Sequence, residues 1–134
     1  MAEAFKFDLV SPERLLFSQD VDQVVIPGTE GEMTVLANHA PTMTNIRPGV
    51  IVISHGGRED RYVVFGGFAD VLPEGCTLLA ESAVHVNELN REDLARRIQE
   101  AREDVQDAED HETRTRAEEF LDQLTTLEGA ILPA

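Results

Sequence analysis

The sequence predicts a β + α fold, in which an N-terminal antiparallel β-sandwich, or flattened barrel, is followed by a C-terminal α-helical hairpin. Three observations lead to this prediction. Short runs alternate between apolar and polar residues up to about residue 87, glycine and proline separate these runs, and beyond residue 87 apolar residues recur every three or four positions. The change of period divides the chain into a sandwich domain, 1–87, and a two-helix domain, 88–134.

Strands are expected wherever the apolar period is two. In the first strand, Phe5, Phe7 and Leu9 alternate with charged residues, so one face is apolar and the other polar. Val10 and Val24 are interpreted as core residues of such strands. The other strands are expected over 15–17, 21–26, 33–36, 44–46, 50–54, 62–65, 77–80 and 83–86.

Glycine and proline pairs predict where these strands end or bend. Pro48-Gly49 is expected to separate two strands, and Gly56-Gly57 is a two-residue hairpin signal. Gly66-Gly67 lies inside an apolar run, which indicates a bulge or a close approach of another backbone.

Two apolar stripes predict the helices. Asn90 is the expected N-cap of the first helix, since an Asn side chain at that position accepts hydrogen bonds from the first free amides. A polar segment around 110–113 separates the stripes, so a helical hairpin and a single interrupted helix are both open; the hairpin is favoured because each stripe can then bury the other. The stripes comprise Leu94, Ile98, Ala101, Val105 and Ala108, and then Ala117, Phe120, Leu121, Leu124, Leu127 and Ile131.

The charge balance argues against two classes of partner, nucleic acids and anionic membrane surfaces. The 134 residues include 26 acidic and 11 basic side chains, a net charge of −15. A nucleic-acid-binding protein needs clustered cations to displace phosphate counterions, and an anionic membrane surface attracts cations in the same way. Residues 88–134 hold 14 acids and 6 bases, so about a third of the chain carries over half of the net charge.

Compartment and membrane signals are few. The single Cys76 cannot form an internal disulfide or a cysteine-based zinc site, and it is interpreted as a small buried hydrophobic residue. The first ten residues lack the basic and apolar runs of a signal peptide. No segment has the roughly 18 to 20 apolar residues that a helix needs to cross a bilayer. A soluble, cytosolic protein is therefore expected.

A search for catalytic patterns predicts no catalytic residues, no metal site, no nucleotide-binding residues and no cofactor. The four histidines, His39, His55, His85 and His111, show none of the close spacings of metal ligands and are interpreted as loop or cap residues. No lysine follows Gly28 and Gly31 in the way that a phosphate-binding loop requires. Two alternatives stay open on these grounds: a small cupin-like β-sandwich enzyme, and an adaptor protein that uses its acidic helices.

Three segments between Phe7 and Gly49 carry a specific resemblance. They read F-D-L-V-S-P-E-R-L-L-F, then V-V-I-P-G-T-E-G-E-M-T-V-L, then N-H-A-P-T-M-T-N-I-R-P-G. In these segments the chain closely resembles the epsilon subunit of F-type, proton-driven ATP synthases of the bacterial type. The segments Val63–Leu72 and Thr77–Val84 fit the same pattern, so the resemblance covers residues 1–87.

The resemblance implies a function without catalysis. An epsilon subunit is part of the central stalk of the rotor, where it couples the gamma subunit to the ring of c subunits during proton-driven ATP synthesis. The implied location is the cytoplasmic face of the bacterial inner membrane, as a peripheral subunit with no direct lipid insertion. A contact of the C-terminal helices with the alpha and beta subunits is left open.

The resemblance also assigns interface residues by motif. The polar loops of the c ring would meet the turn Glu30, Gly31, Glu32 and Met33. A neighbouring loop at the foot of the sandwich, close to gamma and the ring, contains His39, Ala40 and Pro41, and Ser11 falls in the strand region facing gamma. Because c-subunit loops in this family commonly carry arginine, an acidic turn would steer assembly and set its register.

The C-terminal third departs from the family pattern. Members that bind ATP open the first helix with I/L-D-x-x-R-A, whereas this chain has Leu89-Asn90-Arg91-Glu92-Asp93-Leu94-Ala95. ATP binding is therefore not expected. Inhibitory family members use basic helices against acidic segments of the beta subunits, and like charges resist docking, so helices with a net charge of −8 are expected to inhibit hydrolysis weakly or not at all.

Overall fold

The computed structural model describes residues 3–131. The described residues divide into two compact units, with the boundary between residues 86 and 87. The first unit holds the strands β1 (Phe5–Val10), β2 (Leu15–Val21), β3 (Gln23–Gly28), β4 (Gly31–Val35), β5 (Thr42–His55), β6 (Arg58–Leu72), β7 (Gly75–Ala80) and β8 (Ala83–His85). A short 3₁₀ turn, Val86–Glu88, precedes the helices α1 (Arg91–Asp107) and α2 (His111–Ile131).

The predicted β-sandwich with two C-terminal helices is confirmed. The strands hydrogen-bond in the order β2-β1-β7-β6-β5-β3-β4, and β8 pairs with β6. The long strands β5 and β6, of 14 and 15 residues, belong to both layers. One half of β6 pairs with β7 and the other half with β8. The antiparallel prediction has one exception, since β1 and β7 run parallel.

The prediction that Pro48-Gly49 separates two strands is wrong, because β5 continues through both residues. Pro48 is paired with Phe65, whose amide donates to the carbonyl of Ser82. In an antiparallel ladder the nitrogen of Pro48 then points away from β6, towards β3. The β3–β5 pairing is interrupted at that point, between Val25 and Gly28 on β3, so the missing amide hydrogen of proline costs no ladder bond.

The glycine pairs predicted as a hairpin and a close approach behave as expected. Gly56 and Gly57 have φ angles of 55° and 78°, which suit the two central residues of a type I′ turn between β5 and β6. Gly67 has a φ of 145°, and a Cβ atom there would lie 2.3 Å from the carbonyl oxygen of Leu79. Only glycine therefore lets β7 approach β6 at the point where β6 changes partners.

The core lies between the two layers of the sandwich. It is built from alternate residues of nearly every strand, as the period of two predicts. Cys76 is among them, and burial raises the pKa of its thiol to about 12, with the Asp70 carboxylate contributing in the same direction. Its prediction as a buried hydrophobic residue is confirmed. The largest fully buried side chains of this unit are Phe7, Leu9, Ile26, Ile51, Ile53 and Leu78.

The second unit is the predicted helical hairpin. Asn90 is the N-cap of α1, since its side-chain oxygen accepts from the amides of Glu92 and Asp93 at 2.7 and 3.3 Å. Asp110 accepts from the Thr113 amide at 2.6 Å in the same way, and α2 begins at His111. Helices α1 and α2 pack against each other, and the buried stripe residues are Leu94, Ile98, Ala101, Ala108, Leu124 and Leu127.

Candidate interaction surface

The β3–β4 turn, Thr29 and Glu30, and the first two residues of β4 form an exposed acidic tip, defined here as residues 29–32. The turn expected over residues 30–33 is therefore shorter than predicted, because Gly31, Glu32 and Met33 pair with β3 as part of β4. Glu30 and Glu32 are exposed, and among residues 3–131 no ion pair or hydrogen bond to their carboxylates is formed. Gly31 has a φ of 134°, in a region that favours glycine, and a Cβ atom there would have no neighbour within 4 Å. The tip is therefore a narrow projection with two uncompensated negative charges, whereas the neighbouring Met33 is half-buried against the core.

Two contacts hold the tip against β5. The Thr29 amide donates to the Asn45 carbonyl at 3.0 Å, and the Arg47 Nε donates to the Gly28 carbonyl at 3.1 Å. Both partners lie on the first half of β5, close to the point where β3 and β5 lose their regular pairing.

The loop that contains His39, Ala40 and Pro41 leads directly into β5. His39 is half-exposed, and its Nδ1 lies 2.8 Å from the carbonyl oxygen of Ala40. The loop is anchored by Asn38, whose amide donates to Pro73 at 3.0 Å and whose side chain donates to Glu3 at 2.8 Å. It ends at Thr42, three residues before the contact of the acidic tip with β5, so about 10 Å of strand separates the two segments.

Ser11 lies elsewhere, in the turn between β1 and β2 and not within a strand. Its amide donates to the Arg14 carbonyl at 2.9 Å. The turn faces the β7–β8 connection across a shallow cavity of about 410 Å³, lined by Ser11, Pro12, Glu13, Arg14, Glu81, Ser82 and Ala83. Four strand spacings separate Ser11 from the acidic tip, about 19 Å along the sheet. The loop 39–41 therefore leads into the same end of β5 that holds the acidic tip, whereas Ser11 lies four strands away in the strand order.

An exposed apolar row crosses the sheet between these two places. We define it as Leu15, Val10, Leu79 and Phe68, which are direct cross-strand neighbours on β2, β1, β7 and β6. Residues in direct register point to the same side of a sheet. Leu15 and Leu79 are 59% and 50% exposed, while the other two are half-buried. The next neighbour along the row is Asn45, which holds the acidic tip.

The row corrects one prediction. Val24 is fully buried, as expected for a core residue, but Val10 lies on the outer face and is half-buried. Sequence reasoning missed the row because its four residues come from four separate strands and meet only through the register. The signal that could have indicated it is the pair of apolar residues at 78 and 79, since one of two successive strand residues must face outward.

A second group missed by sequence reasoning joins three strands. His55 Nε2 lies 2.7 Å from Asp60 Oδ2, and His85 Nε2 lies 3.4 Å from Asp60 Oδ1. Phe17 stacks edge-on against His55, and Tyr62 against His85. The His55 hydrogen bond is the main cause that holds the pKa of the Asp60 carboxyl below its usual value; partial burial opposes it, and His85 adds to it. These two histidines thus link β5 and β8 to β6 through the Asp60 carboxylate.

The lowered pKa of Asp60 predicts that the stability of the sandwich depends on pH. Its pKa is lower in the folded chain than the ordinary 3.8, so its contribution is present above that value and is lost as the pH falls through the folded pKa. We expect Asp60→Asn to lower the free energy of unfolding by about 1 kcal/mol at pH 7, a small effect because solvent screens a partly exposed carboxylate. The difference from the wild type, measured by urea unfolding, should shrink below about pH 4.

The matched control for this prediction is Glu59→Gln. Glu59 neighbours Asp60 but pairs with Arg61 on the exposed surface, where ion pairs contribute little. A difference between Asp60→Asn and the wild type that stays constant down to pH 2.5 would contradict the assigned role of Asp60.

Two further properties bear on the function. Over residues 3–131, no group of three or more His, Cys, Asp or Glu side chains is arranged to hold a metal ion. Neither of the described helices is long and apolar enough to span a bilayer.

Comparison with known proteins decides the family. The sequence profile described as "ATP synthase, Delta/Epsilon chain, beta-sandwich domain" matches residues 4–86. This chain belongs to the ATP synthase delta/epsilon chain family. The resemblance to the epsilon subunit, stated from the sequence, is confirmed by relatives of this chain. The chain is 70% identical to the ATP synthase epsilon chain of Mesorhizobium japonicum and 70% identical to that of Chelativorans sp., over 100% of each chain. These relationships set aside the cupin-like enzyme and the free-standing adaptor.

Solved structures of the ATP synthase family extend the comparison. The chain matches a chain of the Euglena gracilis mitochondrial ATP synthase (OSCP/F1/c-ring) with a TM-score of 0.75 and 32% identity, covering 96% of this chain and 81% of that one. It matches a chain from the central stalk and c ring of the Tetrahymena thermophila mitochondrial ATP synthase with a TM-score of 0.75 and 12% identity, covering 97% and 98%. The second match concerns the fold alone.

Proposed function

We propose that this chain is the epsilon subunit of a bacterial ATP synthase: a non-catalytic subunit of the central stalk that couples the gamma subunit to the c ring during proton-driven ATP synthesis. The observation that carries the proposal is the continuity of the apolar row with the acidic tip on one face of a sandwich of this family. A rotor subunit must hold two partners at once, and this face offers an apolar surface next to a charged one.

The two surfaces suit different partners. The apolar row fits a protein partner that buries Leu15 and Leu79, since burying apolar area supplies most of the affinity in such interfaces. We assign it to gamma, together with Ser11 at its end. The acidic tip and the loop 39–41 suit loops that carry arginine, which we assign to the c ring, where charge complementarity sets register more than affinity.

Location and chemistry follow from this role. The subunit would lie at the cytoplasmic face of the inner membrane, held there by its partners and without inserting into lipid. Its own side chains would take no part in catalysis, and the catalytic residues would belong to other subunits of the complex.

Co-purification tests the proposal. An affinity tag on this chain, expressed with the rest of the synthase in the native host, should recover gamma and the c ring. We expect Leu79→Glu to abolish recovery of gamma, because it places a charge in the middle of the apolar row, and Glu32→Lys to reduce recovery of the c ring. The control is Glu59→Lys, which should behave like the wild type. Glu59 is an exposed acid on β6, in register through Ser54 with Gln23, and Gln23 lies about 17 Å along β3 from the tip. Recovery of neither partner by the unaltered chain would refute the proposal.

We also propose that the C-terminal hairpin inhibits ATP hydrolysis weakly or not at all. Its net charge is −8, and several of its six arginines are engaged within the hairpin itself. Arg96 and Arg97 pair with Asp93, Arg116 pairs with Glu112 at 3.1 Å, and Arg114 donates to the Ala108 carbonyl at 3.1 Å. Few cations are therefore left for an acidic segment of a beta subunit, and the excess of acids repels it.

Deletion of residues 88–134 tests this second proposal. The cut falls one residue after the boundary between the two compact units, so the sandwich should keep its fold. We expect ATP hydrolysis by the assembled enzyme to change less than twofold on deletion. An activation of tenfold or more would show that the hairpin is a strong inhibitor.

A further inference from the structure

We propose that Arg47 is the positioning residue of the acidic tip. Its guanidinium fixes the position of the tip relative to β5, and so sets the register in which a basic partner loop meets Glu30 and Glu32. The inference rests on the proposed role of the tip in binding the c ring. It adds a residue that the family motif did not assign to the interface and that lies 15 positions beyond the tip in the sequence.

The tip lies at the edge of the sheet, where support from neighbouring strands comes from one side. In the described part of the chain, β4 is the last strand of the hydrogen-bonded order and has five residues. Its partner β3 loses its regular pairing with β5 between Val25 and Gly28 and regains it at Gly28, opposite Ile46. The open space around Gly31 means that no side chain packs against the tip from that side.

Arg47 adds a side-chain hydrogen bond from β5 to the base of the tip. Its Nε donates to the Gly28 carbonyl at 3.1 Å, at the residue where β3 gives way to the tip, and this contact is part-buried. The guanidinium is planar and its N–H directions are fixed, so a bond through Nε orients the acceptor as well as attracting it. The Thr29–Asn45 backbone bond, at 3.0 Å, lies beside it. Together with the pairing of Gly28 and Ile46, the two bonds hold the base of the tip on β5.

Arg47 could act through its charge or through the position in which it holds the tip, and these two roles predict opposite effects of Arg47→Gln on binding. Arg47 is a cation whose guanidinium contacts Gly28, the residue that precedes the acidic tip. If its charge were what mattered, Arg47→Gln would leave the tip more negative and strengthen the attraction of a cationic loop. If it acts by position, the same substitution lets the tip move, and binding weakens because the partner must then order it.

Hydrogen exchange on the isolated full-length chain tests the anchoring. We expect Arg47→Gln to accelerate exchange of the amides in residues 29–32 by about tenfold, as expected when one hydrogen bond of a small local structure is lost. The matched control is Arg58→Gln, an exposed arginine in the β5–β6 hairpin, which should leave the tip unchanged. Unchanged exchange at the tip in Arg47→Gln would overturn the inference.

A second variant, Arg47→Lys, keeps the inference testable if Arg47→Gln does not fold. It keeps the charge and loses the planar Nε donor. We expect its tip amides to exchange faster than those of the wild type as well. Exchange at the wild-type rate in a folded Arg47→Lys would show that charge suffices and would overturn the role given to the guanidinium.

Binding to the gamma and c-ring assembly provides the second test. We expect Arg47→Gln to bind about tenfold more weakly at every salt concentration, with the same salt dependence as the wild type, because the carboxylates are unchanged. Tighter binding would overturn the inference. A double variant, Glu30→Gln with Glu32→Gln, separates this outcome from a failure of the proposed function: if that variant binds as well as the wild type, the contact of the tip with the ring is wrong, whereas the exchange result for Arg47 stands by itself.

Discussion

Gly67→Ala is expected to destabilise the sandwich by about 3 to 5 kcal/mol, the sum of a strained φ angle and an overpacked contact. The new Cβ would lie 2.3 Å from the Leu79 carbonyl oxygen and 2.9 Å from the Ala80 Cα, both of which are backbone atoms. A side chain could rotate away, but the β6–β7 ladder cannot yield without breaking its own hydrogen bonds. Domains of this size have only about 5 to 15 kcal/mol of stability, so much of it would be lost.

Urea unfolding with a second glycine variant isolates the cause. Gly56→Ala makes the same chemical change at a φ of 55°, with no atom within 4 Å of the new Cβ. It should therefore cost about 1 kcal/mol, the price of the left-handed backbone alone. Equal losses for the two variants would show that the contact with β7 contributes nothing, which would contradict the close approach at Gly67.

Leu124→Ala is expected to melt the helical hairpin. Leu124 is fully buried in a unit whose buried apolar residues are few. A truncated leucine in a core costs about 2 to 5 kcal/mol, and isolated helices of this length are marginal in water without a packed face. The loss should appear as reduced helical circular dichroism at 222 nm and as fast hydrogen exchange in residues 91–131, while the exchange of the β-strands stays slow.

Phe120→Ala is the control for this variant. Phe120 belongs to the same predicted stripe of α2 and is larger than leucine, but it is 39% exposed. Its loss should therefore cost less than that of Leu124. A hairpin that melts in Phe120→Ala and survives Leu124→Ala would mean that the helices pack through a different face from the one described.

The behaviour of the stripes shows where sequence reasoning succeeds and where it stops. The recurrence of apolar residues every three or four positions is a local property of a helix, so Leu94 and Leu124 were predicted as buried and are buried. The same stripe included Phe120, which the packing of the two helices leaves at its edge. The period of three to four residues predicts which side of a helix is apolar. The width of the buried contact on that side depends on how the second helix packs against it.

The strands show the same limit more strongly. The alternation in β1 and the hairpin at Gly56-Gly57 were predicted, because both depend on neighbouring residues. Pro48 was expected to end a strand and does not, since whether a missing amide hydrogen matters depends on what lies beside it. The parallel pairing of β1 with β7 joins residues about 70 positions apart, such as Phe7 and Cys76, and no local pattern contains it.

The sequence by itself determined the fold class, the change from strands to helices near residue 87, the family and the uneven distribution of acidic charge. These follow from periodicity, composition and motif, which are properties of residues near each other in the chain. Only the tertiary structure decided that Leu15, Val10, Leu79 and Phe68 form one row, that His55 and His85 share Asp60, and that Arg47 holds the acidic tip. Each of these depends on the register between distant strands, and a shift of one residue would turn the same side chains to the opposite face.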